Sequence, residues 1–121
     1  MLYNSVDNQL LRNDLIRMYE TKVKTYLSKH CDYIMRAPGD NILSGIDKND
    51  LIGLSNVDQW NDFILYGEVY AILTTDNQLM INKIMQSEND DYLTLLSEPH
   101  KQIKKSSISK IYTVKTSNSI F

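Results

Sequence analysis

The sequence predicts a single α+β domain over residues 1–121. Its expected architecture is a long N-terminal helix packed on a small antiparallel β-sheet, a hairpin plus a C-terminal strand, with one or two short helices alongside. Three observations predict it. An apolar stripe at three-and-four spacing runs from Leu11 to Leu27. A β-rich run from Val69 reverses at Asp76-Asn77 and returns from Leu79. A second β-rich run, Ile108 to Thr116, closes the pattern.

The first helix is expected from Ser5 to about His30. Leu11, Leu15, Met18, Val23 and Tyr26 mark the stripe, with Tyr19 and Leu27 beside it, while Arg12, Arg17, Lys22, Lys24 and Lys29 fall largely off it. Ser5 or Asp7 can accept from the free N–H groups at its start, and the cations gathered near its end suit the helix dipole. Cys31 to Ala37 either extends this helix or bends away, and Pro38-Gly39 breaks the chain. Asp40 to Asn56 reads as an irregular connector, interrupted by Gly45 and Gly53 and carrying the apolar pairs Ile42-Leu43 and Leu51-Ile52. Trp60, Phe63, Ile64 and Gly67 sit at helical spacing, so a second helix is expected over about Val57 to Tyr66. The hairpin follows, turning on Asp76-Asn77, residue types that tolerate left-handed backbone. Ser87 followed by acidic residues resembles a helix start, with Tyr92, Leu93, Leu95 and Leu96 as the apolar side of a short helix stopped by Pro99. Lys101 to Ser107 reads as a basic loop before the last strand.

Composition excludes several classes. Net charge is −2 and hydrophobic residues make up 42%, which argues against wholesale disorder. The acidic balance argues against a dedicated duplex-DNA binder. A single cysteine, Cys31, rules out an internal disulfide framework. The N-terminal residues lack the basic start and apolar block of a secretory signal, and no run approaches the roughly 20 apolar residues that span a bilayer. These features predict a soluble chain, cytoplasmic when made, with no membrane partner.

Few residue groups carry candidate chemistry. His30-Cys31-Asp32 places metal-ligand types in a row, but helical neighbours point about a hundred degrees apart, and zinc sites want spaced pairs. Arg36-Ala37-Pro38-Gly39-Asp40-Asn41 lacks the second glycine and the lysine-serine pair of a phosphate loop. Asp47-Lys48-Asn49-Asp50 lacks the alternating ligands and terminal glutamate of a calcium loop. No catalytic residue, metal site, cofactor or small-molecule substrate is therefore expected. An enzyme would need His30, Cys31, Asp32, Glu68 or His100 to meet in one cleft.

Surface-contact residues form the stronger signal. The chain holds 8 tyrosines, and tyrosine is favoured at interfaces for its broad apolar body and hydrogen-bonding tip. Tyr66, Glu68, Tyr70 and Tyr112 are the expected contact residues in the later elements. Lys101, Lys104 and Lys105 begin a segment rich in lysine and free of acids, continuing with Lys110 and Lys115. It reads first as a solvated face whose lysines discourage edge pairing, and it is the one segment through which nucleic acid, or an acidic protein face, could be bound. Ile120 and Phe121 add an apolar end suited to a docking site.

The run Asp62-Phe63-Ile64-Leu65-Tyr66-Gly67-Glu68-Val69-Tyr70-Ala71-Ile72-Leu73, then a turn and Leu79-Met80-Ile81, resembles the helix-to-hairpin segment of tailed-phage portal proteins. Portal subunits are several times longer and carry wing, stem and crown regions that this chain lacks, so the resemblance is one of a segment. It implies a role in a virion or its assembly. The leading expectation is a non-enzymatic structural or assembly protein acting through protein–protein contacts or as a homo-oligomer in a larger assembly, of the kind found in a phage head–tail connector or neck. The alternative is a small inhibitor or immunity protein that blocks one partner, such as a toxin, a nuclease or a host defence factor.

Overall fold

The chain runs through Ser5–His30 (α1), Tyr33–Arg36 (β1), Leu51–Asn56 (β2), Trp60–Phe63 (α2), Val69–Thr74 (β3), Leu79–Met85 (β4), Tyr92–Leu95 (β5), Lys101–Lys104 (β6), a 3-10 turn at Lys105–Ser107, and Ile108–Thr116 (β7). This computed structural model describes residues 5–39, 45–96 and 100–116, with side chains from residue 14 onward. The strands form one antiparallel sheet of seven, in the order β1-β2-β7-β3-β4-β5-β6. The expected small sheet of a hairpin plus one strand is thus overturned. The molecule is dominated by its sheet, and α1 is the single long helix among the described residues.

Elements whose signal is local match expectation. The hairpin β3–β4 pairs from Val69↔Lys83 to Leu73↔Leu79. Thr74 holds its turn: the hydroxyl accepts the Gln78 N–H at 3.1 Å and donates to the Asp76 carboxylate. Asn77 takes the left-handed conformation there, with φ 64°. β7 lies in the middle of the sheet, between β2 and β3.

Elements whose signal depends on distant partners depart from it. Cys31–Ala37 bends away from α1 and becomes β1, because Asp32 N–H donates to Leu54 O at 2.9 Å and Tyr33 then pairs with Leu54. The connector expected over Asp40 to Asn56 ends in β2. Gly53 reads as a strand breaker in sequence, yet here it lets α1 approach the sheet: a Cβ at this position would collide with the Cys31 sulfur and lie 3.0 Å from Leu27 Cδ2. Asp40 and Ile42-Leu43 lie outside the described residues. The second helix shrinks to α2, since Gln59 is left-handed (φ 53°) and Ile64 returns to extended backbone. The helix expected after Ser87 is instead β5. Leu93 and Leu95 alternate inward with Tyr92 and Thr94, and pairing with β6 satisfies a backbone that a helix would have satisfied internally. The expected loop from Lys101 supplies that partner strand. Glu98 and Pro99 lie outside the described residues.

The sheet buries apolar side chains on both faces. One face carries Ala37, Ile46, Ile52, Leu54, Ala71, Ile81 and Tyr112. The other carries Tyr70, Ile72, Ile84, Leu93, Leu95, Ile108 and Ile111, with Val57, Trp60 and Ile64 packed on them from the segment around α2. Chain connectivity forces the sheet to curl around this second cluster. β6 and β7 stand four places apart in the order, about 19 Å if the sheet were flat. The 3-10 turn joining them rises only about 2 Å per residue. The last residue of that turn already joins the β3–β7 ladder, Thr75 N–H donating to Ser107 O at 2.9 Å.

Candidate functional site

Two exposed apolar surfaces, each with charged neighbours, are the features on which a function can be built. The first lies on α1. Among the described residues of its expected stripe only Val23 and Leu27 are buried, where the helix crosses Gly53 of β2. Leu15 is 57% exposed, Ile16 51%, Met18 66% and Tyr19 46%. A helix of 26 residues is about 39 Å long, while its packing is on β1 and β2. The stripe therefore outruns the ledge that covers it. A shallow groove of about 960 Å³ follows this side of the helix, with Met18, Tyr26, Arg17, Lys22 and Lys29 among its lining residues. Lys115 reaches the same side, its ammonium 5.9 Å from the centre of the Tyr26 ring. Glu20 is occupied elsewhere, in a 3.1 Å ion pair with Arg36. The α1 surface is accordingly apolar with mostly basic neighbours, Arg17, Lys22 and Lys29, against the exposed Asp14 one turn before Met18.

The second surface is a shoulder formed by the segment entering β3 and by the end of β4. Phe63 is 63% exposed, Leu65 67%, Tyr66 48% and Met85 37%. Backbone bonds hold it in place: Gly67 N–H donates to Ile84 O at 2.8 Å, and Ile84 N–H donates to Glu68 O at 3.1 Å. Gly67 has φ 90°, a conformation that a side chain would strain. Leu65 N–H donates to the Tyr70 hydroxyl at 2.9 Å. Asp62 and Glu68 are exposed within this segment and Lys83, opposite Val69, is half-buried, so the shoulder is apolar with mostly acidic neighbours.

The expected contact residues separate on these grounds. Tyr66 and Glu68 lie on the shoulder and are exposed. Tyr70 and Tyr112 are 4% and 7% exposed and belong to the two cores. Tyr70 holds Leu65 from below, and Tyr112 meets the Tyr33 ring edge-on at 5.9 Å. Neither presents a surface to a partner. Lys101 and Lys104 are exposed on β6, and Lys105 is half-buried in the 3-10 turn. Three residues apart on one strand, Lys101 and Lys104 point to opposite faces, so they do not join in one basic stripe. Ile120 and Phe121 lie outside the described residues. Reading the sequence missed Leu15, Ile16, Met18, Tyr19, Leu65 and Met85 as surface residues, and it took Phe63 as part of a core-facing helix. No local signal could have found them, because an apolar residue left uncovered looks the same in sequence as one that is buried.

Among the remaining polar groups, the Asp32 carboxylate accepts the Asn56 N–H at 2.9 Å, and the His30 ring lies against Tyr26 at 4.5 Å. Asp47 and Asp50 close a turn on each other, with Asp47 N–H donating to Asp50 Oδ2 at 3.2 Å. Among the described residues no three His, Cys, Asp or Glu side chains are grouped to hold a metal ion, and no helix is long and apolar enough to cross a membrane. Comparison with known proteins finds no family model, no curated relative and no solved structure that matches this chain.

Proposed function

We propose that this chain is a non-enzymatic assembly protein that works by docking on other proteins, in the manner of a tailed-phage neck or head–tail connector subunit. One observation carries the reading: among the described residues nine large apolar side chains stand between 37% and 67% exposed, and all but Tyr33 of β1 lie on α1 or the shoulder. Scattered exposed leucines are ordinary, but contiguous apolar surface mostly marks interaction sites. The anchors are of the kinds that interfaces favour, Tyr, Phe and Met, and both surfaces have charged neighbours that set orientation. The segmental resemblance to portal proteins points to the virion within this class. Native mass measurement of the chain from its source tests the reading. A particle containing several copies, or copies bound to other structural chains, is the expected result. A strictly solitary chain at every concentration, with nothing co-purifying, overturns it. A one-to-one complex with a single foreign protein would instead select the inhibitor class.

A further inference from the structure

We infer that the occupant of the α1 surface is the shoulder of a second copy of this chain. The inference rests on the docking reading above and adds the partner and the contact. Charge supports it first. Arg17, Lys22 and Lys29 flank Met18 and Tyr26 on α1, whereas Asp62 and Glu68 flank Phe63, Leu65 and Tyr66 on the shoulder. Asp14 on α1 and the half-buried Lys83 opposite Val69 run the other way, but two copies still present a mainly basic rim and a mainly acidic rim around apolar centres, an arrangement that steers and orients association.

Topology supports it next. Ile52↔Thr116 and Val69↔Lys83, with β7 antiparallel to both neighbours, place the start of β2, the end of β7, the start of β3 and the end of β4 at one end of the sheet. The shoulder sits at that end, beside Gly67 and Met85. The exposed half of α1 reaches the same end, since Glu20 is tied to Arg36 and Arg36 pairs with Leu51. The two surfaces thus leave the molecule side by side, and a twofold axis lets each copy seat its shoulder on the other's helix.

Area decides whether such a pair is worth forming. Ile16 lies on the ledge side of α1 with Val23 and Leu51, which leaves Leu15, Met18 and Tyr19 on the outer side and four side chains on the shoulder; at about half exposure and near 200 Å² each, these give roughly 300 and 400 Å². One contact then buries roughly 700 Å², a marginal interface. The reciprocal pair buries roughly 1,400 Å², within the standard range of a stable one.

Sedimentation of the full chain and two variants, Met18→Asp and Phe63→Asp, tests this. Both positions are more than 60% exposed, so the variants should fold, which far-UV circular dichroism checks. The wild type is expected to be dimeric, and each variant alone to lose the dimer, because each destroys both reciprocal contacts. Mixing the two variants should restore a heterodimer through the one intact contact, with weaker affinity than the wild type. An α1-to-α1 pairing predicts the reverse: Phe63→Asp alone would stay dimeric, and mixing would rescue nothing. Either of those results, or a monomeric wild type, overturns the inference. If the wild type is monomeric but the same substitutions strip a co-purifying chain from it, docking stands and only self-pairing falls. If they strip nothing, both fall.

Discussion

Placing alanine at Gly53 adds one methyl group at the tightest point between α1 and the sheet. The new Cβ would collide with the sulfur of Cys31 and stand 3.0 Å from both Cys31 Cβ and Leu27 Cδ2, where carbon atoms prefer about 3.5–4.0 Å. Leu27 is wholly buried and cannot swing away. Relief therefore requires α1 to move off β2 and loosen Val23 and Leu27 together. Overpacking of this kind costs about 1–3 kcal/mol. The stiffer unfolded chain of the alanine variant offsets about 0.4–1 kcal/mol of it. A net loss of about 1–2 kcal/mol is expected. In urea, with a slope of about 1–3 kcal/mol per molar, the unfolding midpoint should drop by roughly 0.3–2 M. Cys31→Ala removes the colliding sulfur. In the double variant the loss should shrink, with a coupling of at least about 0.5 kcal/mol between the two sites. A midpoint unchanged or raised by Gly53→Ala, or a double variant no more stable than additivity predicts, would refute close helix–sheet approach as the reason glycine stands here.

Tyr70→Phe removes the acceptor of the Leu65 N–H; about 1 kcal/mol should be lost, seen as a melting temperature lower by roughly 3–5 °C. Asn77→Val puts a β-branched residue at φ 64° and should cost about 1–2 kcal/mol, whereas Asn77→Gly should leave the urea midpoint unchanged or slightly raised. Arg36→Ala breaks the ion pair with Glu20, both side chains being more than a third exposed. A change below about 0.5 kcal/mol is expected, and a large loss would mean that the contact organises α1 in a way its exposure does not suggest.

The sequence by itself determined the elements whose signal is local. A helix satisfies its backbone internally, so Ser5–His30 could be read without knowing what it packs on. The β3–β4 hairpin could be read because its two strands adjoin and its turn residues accept left-handed backbone. β7 stood out as a sustained β-rich run. The tertiary structure decided the rest. β1, β5 and β6 are four residues each, too short to show a period. Leu93 and Leu95 fit an inward-alternating strand as well as a helix stripe, and β6 settles the choice. Gly53 looked like a break until α1 lay across it. The candidate site was legible only in Tyr66 and Glu68, while Tyr70 and Tyr112 went to the core. Which apolar side chains remain uncovered depends on where a 26-residue helix outruns a two-strand ledge, and that length mismatch exists only once distant segments have paired.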